Sequence, residues 1–337
     1  MIRKNFTRLS MALFSIFGAS ILSFVLLRLA PGDPVGLVLG PFATEQAREH
    51  LTREMGLDKP ILIQYGIYIR DLFKGNWGYS YSMSQEVRKL FFSRLPASLE
   101  LSIFALLFTI SFALILALFR TYTKCKILKH LVDGICYVCY SMPQFFLGLL
   151  LLIVFSGLFK IFPGPEGRTG FSFFVLPRIT GFLVIDSLIS GRMDLFIDAL
   201  RHLILPACTL GLYSMAFLTR ILQANLERTY HEQYVTISYS RGLTEWKALI
   251  RHALPNALVT SSTTAAVLIG IILTGTMLVE TIFAWPGIGS LITSSIQKKD
   301  FSVVQAFIFF SSFIFVISNL IVEFLITKID PRIGMEK

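Results

Sequence analysis

Six uncharged runs divide the chain, at residues 9–27, 101–119, 134–159, 203–219, 257–279 and 303–322. Each is close to the roughly 20 residues that an α-helix needs to cross about 30 Å of hydrocarbon. The pattern predicts an all-α polytopic membrane protein with six transmembrane helices. Residues 9–27 follow Arg3, Lys4 and Arg8 as a signal peptide would. However, the apolar stretch runs on to Arg28 and Pro31 without a small-residue cleavage pattern, so it reads as an uncleaved first span. A further apolar stretch, residues 171–189, is interrupted by Pro177, Arg178 and Asp186, and reads as a re-entrant or interfacial segment rather than a seventh span.

The segments between the runs differ in character. Residues 30–98 are mixed in charge and form a small external cap: Thr44–Met55 reads as a short helix closed by Gly56, and Ile61–Lys74 as another closed by Gly75. The segment before the third run carries Arg120, Lys124, Lys126 and Lys129, which places it in the cytoplasm. An even number of spans then puts both termini on the same side, as the basic tail (Lys328, Arg332, Lys337) also suggests. Residues 160–202 open with turn-forming glycines and prolines. Residues 221–256 are too long for a tight turn and carry Glu227, Arg228, Glu232, Arg241, Glu245, Lys247 and Arg251. They predict a helix, a bend at Gly242, and a second helix running back to Pro255. The organisation is thus a tail and first span (1–29), a cap (30–98), a five-helix core (99–327) containing the excursion at 221–256, and a tail (328–337).

Composition agrees: 54% of the 337 residues are hydrophobic, 15% are charged, and mean hydropathy is +0.67. The net charge of +10 is the mark of basic loops on one membrane face, not of a nucleic-acid partner. Cys125, Cys136, Cys139 and Cys208 lie in or beside apolar runs, so they imply neither a disulfide framework nor a metal site. His231-Glu232 begins like a zinc-protease helix, but no second histidine completes H-E-x-x-H. The phosphate-cradling pattern G-x-x-x-x-G-K-[ST] is also missing, so the chain is not expected to hydrolyse ATP itself.

Several motifs carry a resemblance. Tyr234-Val-Thr-Ile-Ser238-Tyr-Ser240-Arg-Gly242-Leu243 leads to Arg251-His-Ala-Leu254-Pro255. Arg28-Leu-Ala-Pro-Gly-Asp-Pro34, Arg94-Leu-Pro-Ala-Ser-Leu-Glu100, Ser141-Met-Pro-Gln-Phe-Phe146, Val279-Glu-Thr-Ile-Phe-Ala-Trp-Pro-Gly-Ile-Gly289, Asn319-Leu-Ile-Val-Glu323 and Asp330-Pro-Arg-Ile333 follow in order. The series resembles the B-type, or first, permease subunit of dipeptide and oligopeptide ABC importers, with the type I importer permease fold. Ser238 and Ser240 stand where many relatives have alanines, and Glu323 where an aspartate is usual.

The resemblance implies a coupling helix at Tyr234, Ser238, Ser240, Gly242, Leu243, Leu254 and Pro255 that docks on an ATPase subunit. It also implies a second, C-type permease, two ATPase subunits, and an external substrate-binding protein, periplasmic or tethered to the surface. The chain itself would catalyse nothing and bind no cofactor, ATP and Mg being held by the ATPases. Trp285, Pro286 and Gly287 are candidate contacts for the binding protein. Ser141, Gln144, Thr263, Thr264, Thr274 and Thr276 are candidate pathway residues, each with helix–helix packing as its alternative role. Glu280 and Glu323, near span ends, are expected to reach water or pair with a base. Related permeases carry nickel complexes or glutathione. An ion-coupled secondary transporter is the rival from another class, disfavoured because the six runs are almost free of the ionisable residues that ion coupling uses.

Overall fold

The computed structural model describes residues 14, 16–25, 34–39, 43–54, 56–170 and 179–329, which form two units. The first comprises residues up to Leu95 together with Ile288–Ile317, and the second Pro96–Gly287 together with the residues from Ser318 onward.

In the first unit, α1 (Ile16–Val25) is followed by α2 (Pro34–Leu39), α3 (Glu45–Glu54) and α4 (Ile61–Phe73). The two helices expected in the cap are therefore present, and Gly56 (φ +65°) and Gly75 (φ +80°) close them. The hydroxyls of Ser20 on α1 and Tyr65 on α4 lie 2.8 Å apart. A short antiparallel hairpin, β1 (Tyr79–Ser80) and β2 (Gln85–Glu86), lies against the start of α15 (Phe301–Ile329), which follows α14 (Ile288–Gln297). Asp300 fastens this hairpin by accepting hydrogen bonds from Ser80 Oγ at 2.6 Å and Ser82 Oγ at 2.7 Å. Trp77, Phe91 and Phe310 form the aromatic packing beside it.

The second unit contains most of α5 (Val87–Tyr122), then α6 (Lys126–Ser141), α7 (Gln144–Leu151), α8 (Leu183–Ile189), α9 (Met193–Tyr230), α10 (Gln233–Ser240), α11 (Glu245–Ala248), α12 (Leu254–Thr274) and α13 (Met277–Ile282). Helix α9 is the centre, packed by α6, α7, α8 and α12. Its 38 residues rise about 57 Å at 1.5 Å each, well beyond the hydrocarbon thickness. Its buried side holds Leu203, Leu210, Met215, Leu222 and Leu226.

Among the described residues, three helices are long and apolar enough to cross a membrane, within Val87–Tyr122, Met193–Tyr230 and Glu245–Leu273. The third expected span is not one straight helix: α6 and the helix over Gln144–Leu158 meet at 112°. Pro143 explains the bend, because its ring disfavours helical geometry in the residue before it, and Met142 is extended at φ −86°, ψ 139°. The fifth run is likewise broken, since α12 ends at Thr274 and α13 begins only at Met277. Residues 152–158 and 249–253 wind as wide π-helical turns. In the second stretch Leu254 N–H bonds the carbonyl of Leu249, five residues back. Pro255 follows immediately; it has no N–H for the Arg251 carbonyl and would crowd it in a regular helix. Of the expected re-entrant stretch, residues 171–178 lie outside the described residues, and Leu183–Ile189 forms α8.

Candidate functional site

Two places in the second unit combine irregular backbone with polar or exposed groups. The first is a half-open cavity of about 270 Å³ lined by Met142, Pro143, Gln144, Leu210, Tyr213, Ser214, Ile271, Ile272 and Gly275. Its walls contain both helix interruptions, at Met142–Pro143 and at Gly275. An α-helix leaves its last four carbonyls without intrahelical partners, so a broken span presents backbone polarity to the space beside it. Gln144 Nε2 donates to the Leu210 carbonyl at 3.2 Å, which fixes the amide at the rim.

Of the expected pathway residues, Gln144 lines this cavity, and Ser141 is exposed at the bend. Thr276 is buried, and its carbonyl accepts from Glu280 N–H at 2.8 Å. Thr263 and Thr264 lie on α12 about three turns from Gly275, half-buried, with the Thr263 hydroxyl bonded to the Thr260 carbonyl at 3.2 Å. The Thr274 side chain lies outside the described residues. Sequence reasoning missed Tyr213 and Ser214, whose spacing on α9 is indistinguishable from ordinary core.

The second place is the excursion from α9 to α12. It follows the expected plan: α10, a turn at Gly242 with φ +79°, then α11, the π turn and α12. The left-handed geometry at Gly242 suits glycine, which lacks the Cβ that would clash there. Val235, Ala248, Leu249 and Ala253 are completely buried, together with Leu222 and Leu226 of α9 and Ala117 of α5. This apolar seam joins the excursion to two long helices. Ser238 was expected to allow close approach of a partner. Instead it is buried in the chain itself and donates to the Val235 carbonyl, so it is an internal packing residue. Tyr234 is exposed, and its phenol oxygen accepts from Asn256 Nδ2 at 2.9 Å. Gly242 and Pro255 are exposed, Leu243 and Leu254 half-buried, and the Ser240 side chain lies outside the described residues. Sequence reading did not single out Ile237 and Trp246, two exposed apolar side chains on the same excursion.

Polar links tie this end of the bundle together. Arg120 on α5 forms a forked pair with Asp133 on α6 at 3.0 and 3.2 Å and also binds Glu227 on α9. Lys124 bonds Glu245 at 2.8 Å, and that hydrogen bond holds the lysine ammonium above its usual range. Tyr122 meets Trp246 edge to face at 5.1 Å.

The Val279–Gly289 motif is not the surface expected of it. Trp285 is 1% exposed, its indole N–H donating to the Ala97 carbonyl at 2.9 Å, and Gly287 is buried. Pro286 is half-buried, so of the three expected binding-protein contacts only it retains exposed surface. Glu280 does not reach water either: it is 0% exposed and accepts from Ser98 Oγ at 2.6 Å. The Glu323 side chain lies outside the described residues. Nearby, Glu100 pairs with Arg168 and accepts from Val184 N–H at 2.8 Å, while the Arg168 guanidinium lies 5.8 Å from the Trp285 ring centre. Beyond the spans, Asp186 accepts from Thr180 N–H at 2.8 Å, Thr180 Oγ1 at 2.6 Å and Gly181 N–H at 2.9 Å. Burial pushes its carboxyl up, but these hydrogen bonds outweigh it and hold the group below the usual aspartate value.

Helices of spanning length and apolarity, one of them sharply bent at a short break, mark a multi-pass membrane protein. Residues 110–335 match the binding-protein-dependent transport system inner membrane component, and residues 1–102 match the N-terminal part of the same kind of membrane component, so the chain belongs to this family of ABC transporter permeases of the inner membrane. It is 36% identical to the di/tripeptide transport system permease protein DppB of Pseudomonas aeruginosa, with 98% of each chain covered. It is 35% identical to the probable D,D-dipeptide transport system permease protein DdpB of Escherichia coli, over 95% of this chain and 94% of that one. The dipeptide transport system permease protein DppB of Escherichia coli is 32% identical, with 98% of each covered. A crystal structure of an amino acid ABC transporter with histidines covers 72% of this chain and 94% of that chain, at a TM-score of 0.48 and 17% identity.

Proposed function

We propose that this chain is one of two different permease subunits of an ATP-driven importer of dipeptides and short oligopeptides, and that the cavity at the paired helix breaks is part of the passage. The observation that carries this reading is the meeting of two interrupted helices, at Met142–Pro143 and Gly275, on one cavity edged by Gln144, Tyr213 and Ser214. Backbone carbonyls and short polar side chains bind amide groups without regard to the side chains attached, as a sequence-tolerant peptide path requires. The names of the relatives support the substrate class. The chain itself hydrolyses nothing; ATP and Mg bind to two separate ATPase subunits, and a substrate-binding protein delivers the peptide.

The Gly242 excursion is the contact for the ATPase, presenting Tyr234, Ile237, Gly242 and Trp246, with its end of the bundle and both termini in the cytoplasm. Closure of the ATPases moves α10 and α11, and the buried Val235–Leu249 seam carries that motion into α5, α9 and α12. The experiment is peptide uptake by liposomes containing the complete importer, comparing the wild type with Trp246→Glu. The expected result is that the complex co-purifies in reduced amount, or hydrolyses ATP without uptake. Uptake at the wild-type rate by Trp246→Glu would overturn the docking assignment, and ATP-independent uptake driven by an ion gradient would overturn the importer reading itself.

A further inference from the structure

On α9, Tyr213, Phe217 and Arg220 fall within about 60° of arc at 100° per residue, so one face carries all three. Tyr213 lines the cavity. From there an aromatic stack leads along the bundle: Tyr140 of α6 lies parallel to Tyr213 at 5.1 Å and to Phe217 at 5.9 Å. The stack ends in a cation. The Arg220 guanidinium carbon lies 4.9 Å from the Tyr137 ring centre and 5.8 Å from that of Tyr140.

Four other arginines of this unit are held by oxygen acceptors, whereas Arg220 is held over rings. Arg120, Arg168 and Arg192 are paired with carboxylates, and Arg201 donates to the Ile161 carbonyl at 3.0 Å. Arg220 is exposed and, among the described residues, has neither a carboxylate partner nor a hydrogen-bond acceptor. A guanidinium held over rings by its charge spends no hydrogen bond on them, and its N–H groups keep the fork geometry that matches a carboxylate.

We propose that Arg220 is a specificity-determining contact of the passage, which takes the C-terminal carboxylate of a peptide leaving the cavity; this rests on the reading of the cavity as part of a peptide path. The dimensions agree. Seven residues of helix separate Tyr213 from Arg220 by about 10 Å, and an extended chain of two or three residues spans roughly 7–11 Å. An extended tripeptide whose amino end is still beside Tyr213 therefore brings its carboxylate to the guanidinium, and a dipeptide does so once its amino end has moved about one residue further along the stack. The rings hold that guanidinium in place, so little ordering is needed when the carboxylate arrives.

A phosphate of an anionic lipid has similar chemistry, and the test separates the two. The complete importer is reconstituted in liposomes of phosphatidylcholine alone and of phosphatidylcholine with phosphatidylglycerol, and dialanine uptake is compared for wild type, Arg220→Gln and Arg220→Lys. Saturation-transfer NMR on the assembly without its binding protein compares dialanine with its C-terminal amide. The expected result is a roughly tenfold or greater loss of uptake in Arg220→Gln in both lipid compositions, with recovery to within about threefold in Arg220→Lys. In the NMR comparison the acid gives a stronger signal than the amide in wild type and an equal one in Arg220→Gln. A loss confined to the phosphatidylglycerol liposomes would reassign Arg220 to lipid and overturn the proposal, as would equal NMR signals for acid and amide in wild type. Failure of the wild type to take up dialanine at all would instead count against peptide import.

Discussion

Gly287 has no room for a side chain. A Cβ built there would overlap the Glu280 carboxyl carbon and both of its oxygens. The carboxylate cannot swing into solvent, because Glu280 is 0% exposed and held by Ser98 Oγ at 2.6 Å. Gly287→Ala therefore has two costs. Overpacking a close-packed interior costs about 1–3 kcal/mol, and pushing the buried carboxylate off its hydroxyl partner costs about 1–3 kcal/mol more. The contributions share one group and do not add fully, so the expected loss is about 3 kcal/mol. At roughly 2–4 °C per kcal/mol for a domain of this size, Tm falls by about 6–12 °C. The assay is the fraction of detergent-solubilised complex that stays monodisperse after heating. A companion substitution, Glu280→Ala, removes the obstructing atoms, so the double variant Gly287→Ala/Glu280→Ala should lose less than the sum of the single losses. If Gly287→Ala melts within 2 °C of the wild type, or the two losses simply add, the packing argument is wrong.

Arg120→Ala leaves the half-buried Asp133 without its forked partner, while the exposed Glu227 is solvated; a loss of roughly 1–2 kcal/mol and a Tm a few degrees lower are expected in the same heating assay, and Lys at this position recovers only part because it cannot form the fork to Asp133. Gly242→Val forces a β-branched residue to φ +79° and should uncouple ATP hydrolysis from uptake, whereas Gly242→Asn, which tolerates left-handed backbone, should retain most coupled transport. For Asp186 the native carboxyl is held below its unfolded value, so its contribution is fully present above about pH 4 and is lost as pH falls through the lower native value. Asp186→Asn should remove about 1–2 kcal/mol at neutral pH and flatten the acid limb of a stability–pH profile recorded between pH 5 and 2.5.

The features legible in the sequence were those with a local cause. Gly56, Gly75 and Gly242 close or turn helices where left-handed backbone is needed, and all three have positive φ. The apolar runs marked the long helices because the bilayer demands length and apolarity of each segment independently. Pro143 also carried a local signal, but inside an unbroken apolar run hydropathy concealed it, and the two helices at 112° were read as one span. What depended on distant parts of the chain was not legible. Trp285, a candidate binding-protein contact under the family resemblance, donates its indole N–H to the carbonyl of Ala97, 188 residues earlier, and no local pattern announces that partner. Ser238 was read as a small residue facing outward, when only the seam with α9 and α12 decides which side of α10 is covered. Arg220 carries no distinguishing sequence signal, because one cation at the end of an apolar run usually reaches for the membrane surface. Only the rings of Tyr137 and Tyr140, on another helix, distinguish it.

The π turn at Leu249–Ala253 stores one residue more per turn than a regular helix would hold. It lies between the excursion and α12, so it behaves like a link of spare thread in a screw. If that residue were taken up into regular winding, α11 would turn by about 100° and shift about 1.5 Å against α12 with no hinge opening. Pro255 pins the stored residue in place, since without an N–H it cannot complete the regular pattern behind it. A push on the excursion thus has a built-in screw axis, and α12 can receive it as rotation as well as displacement.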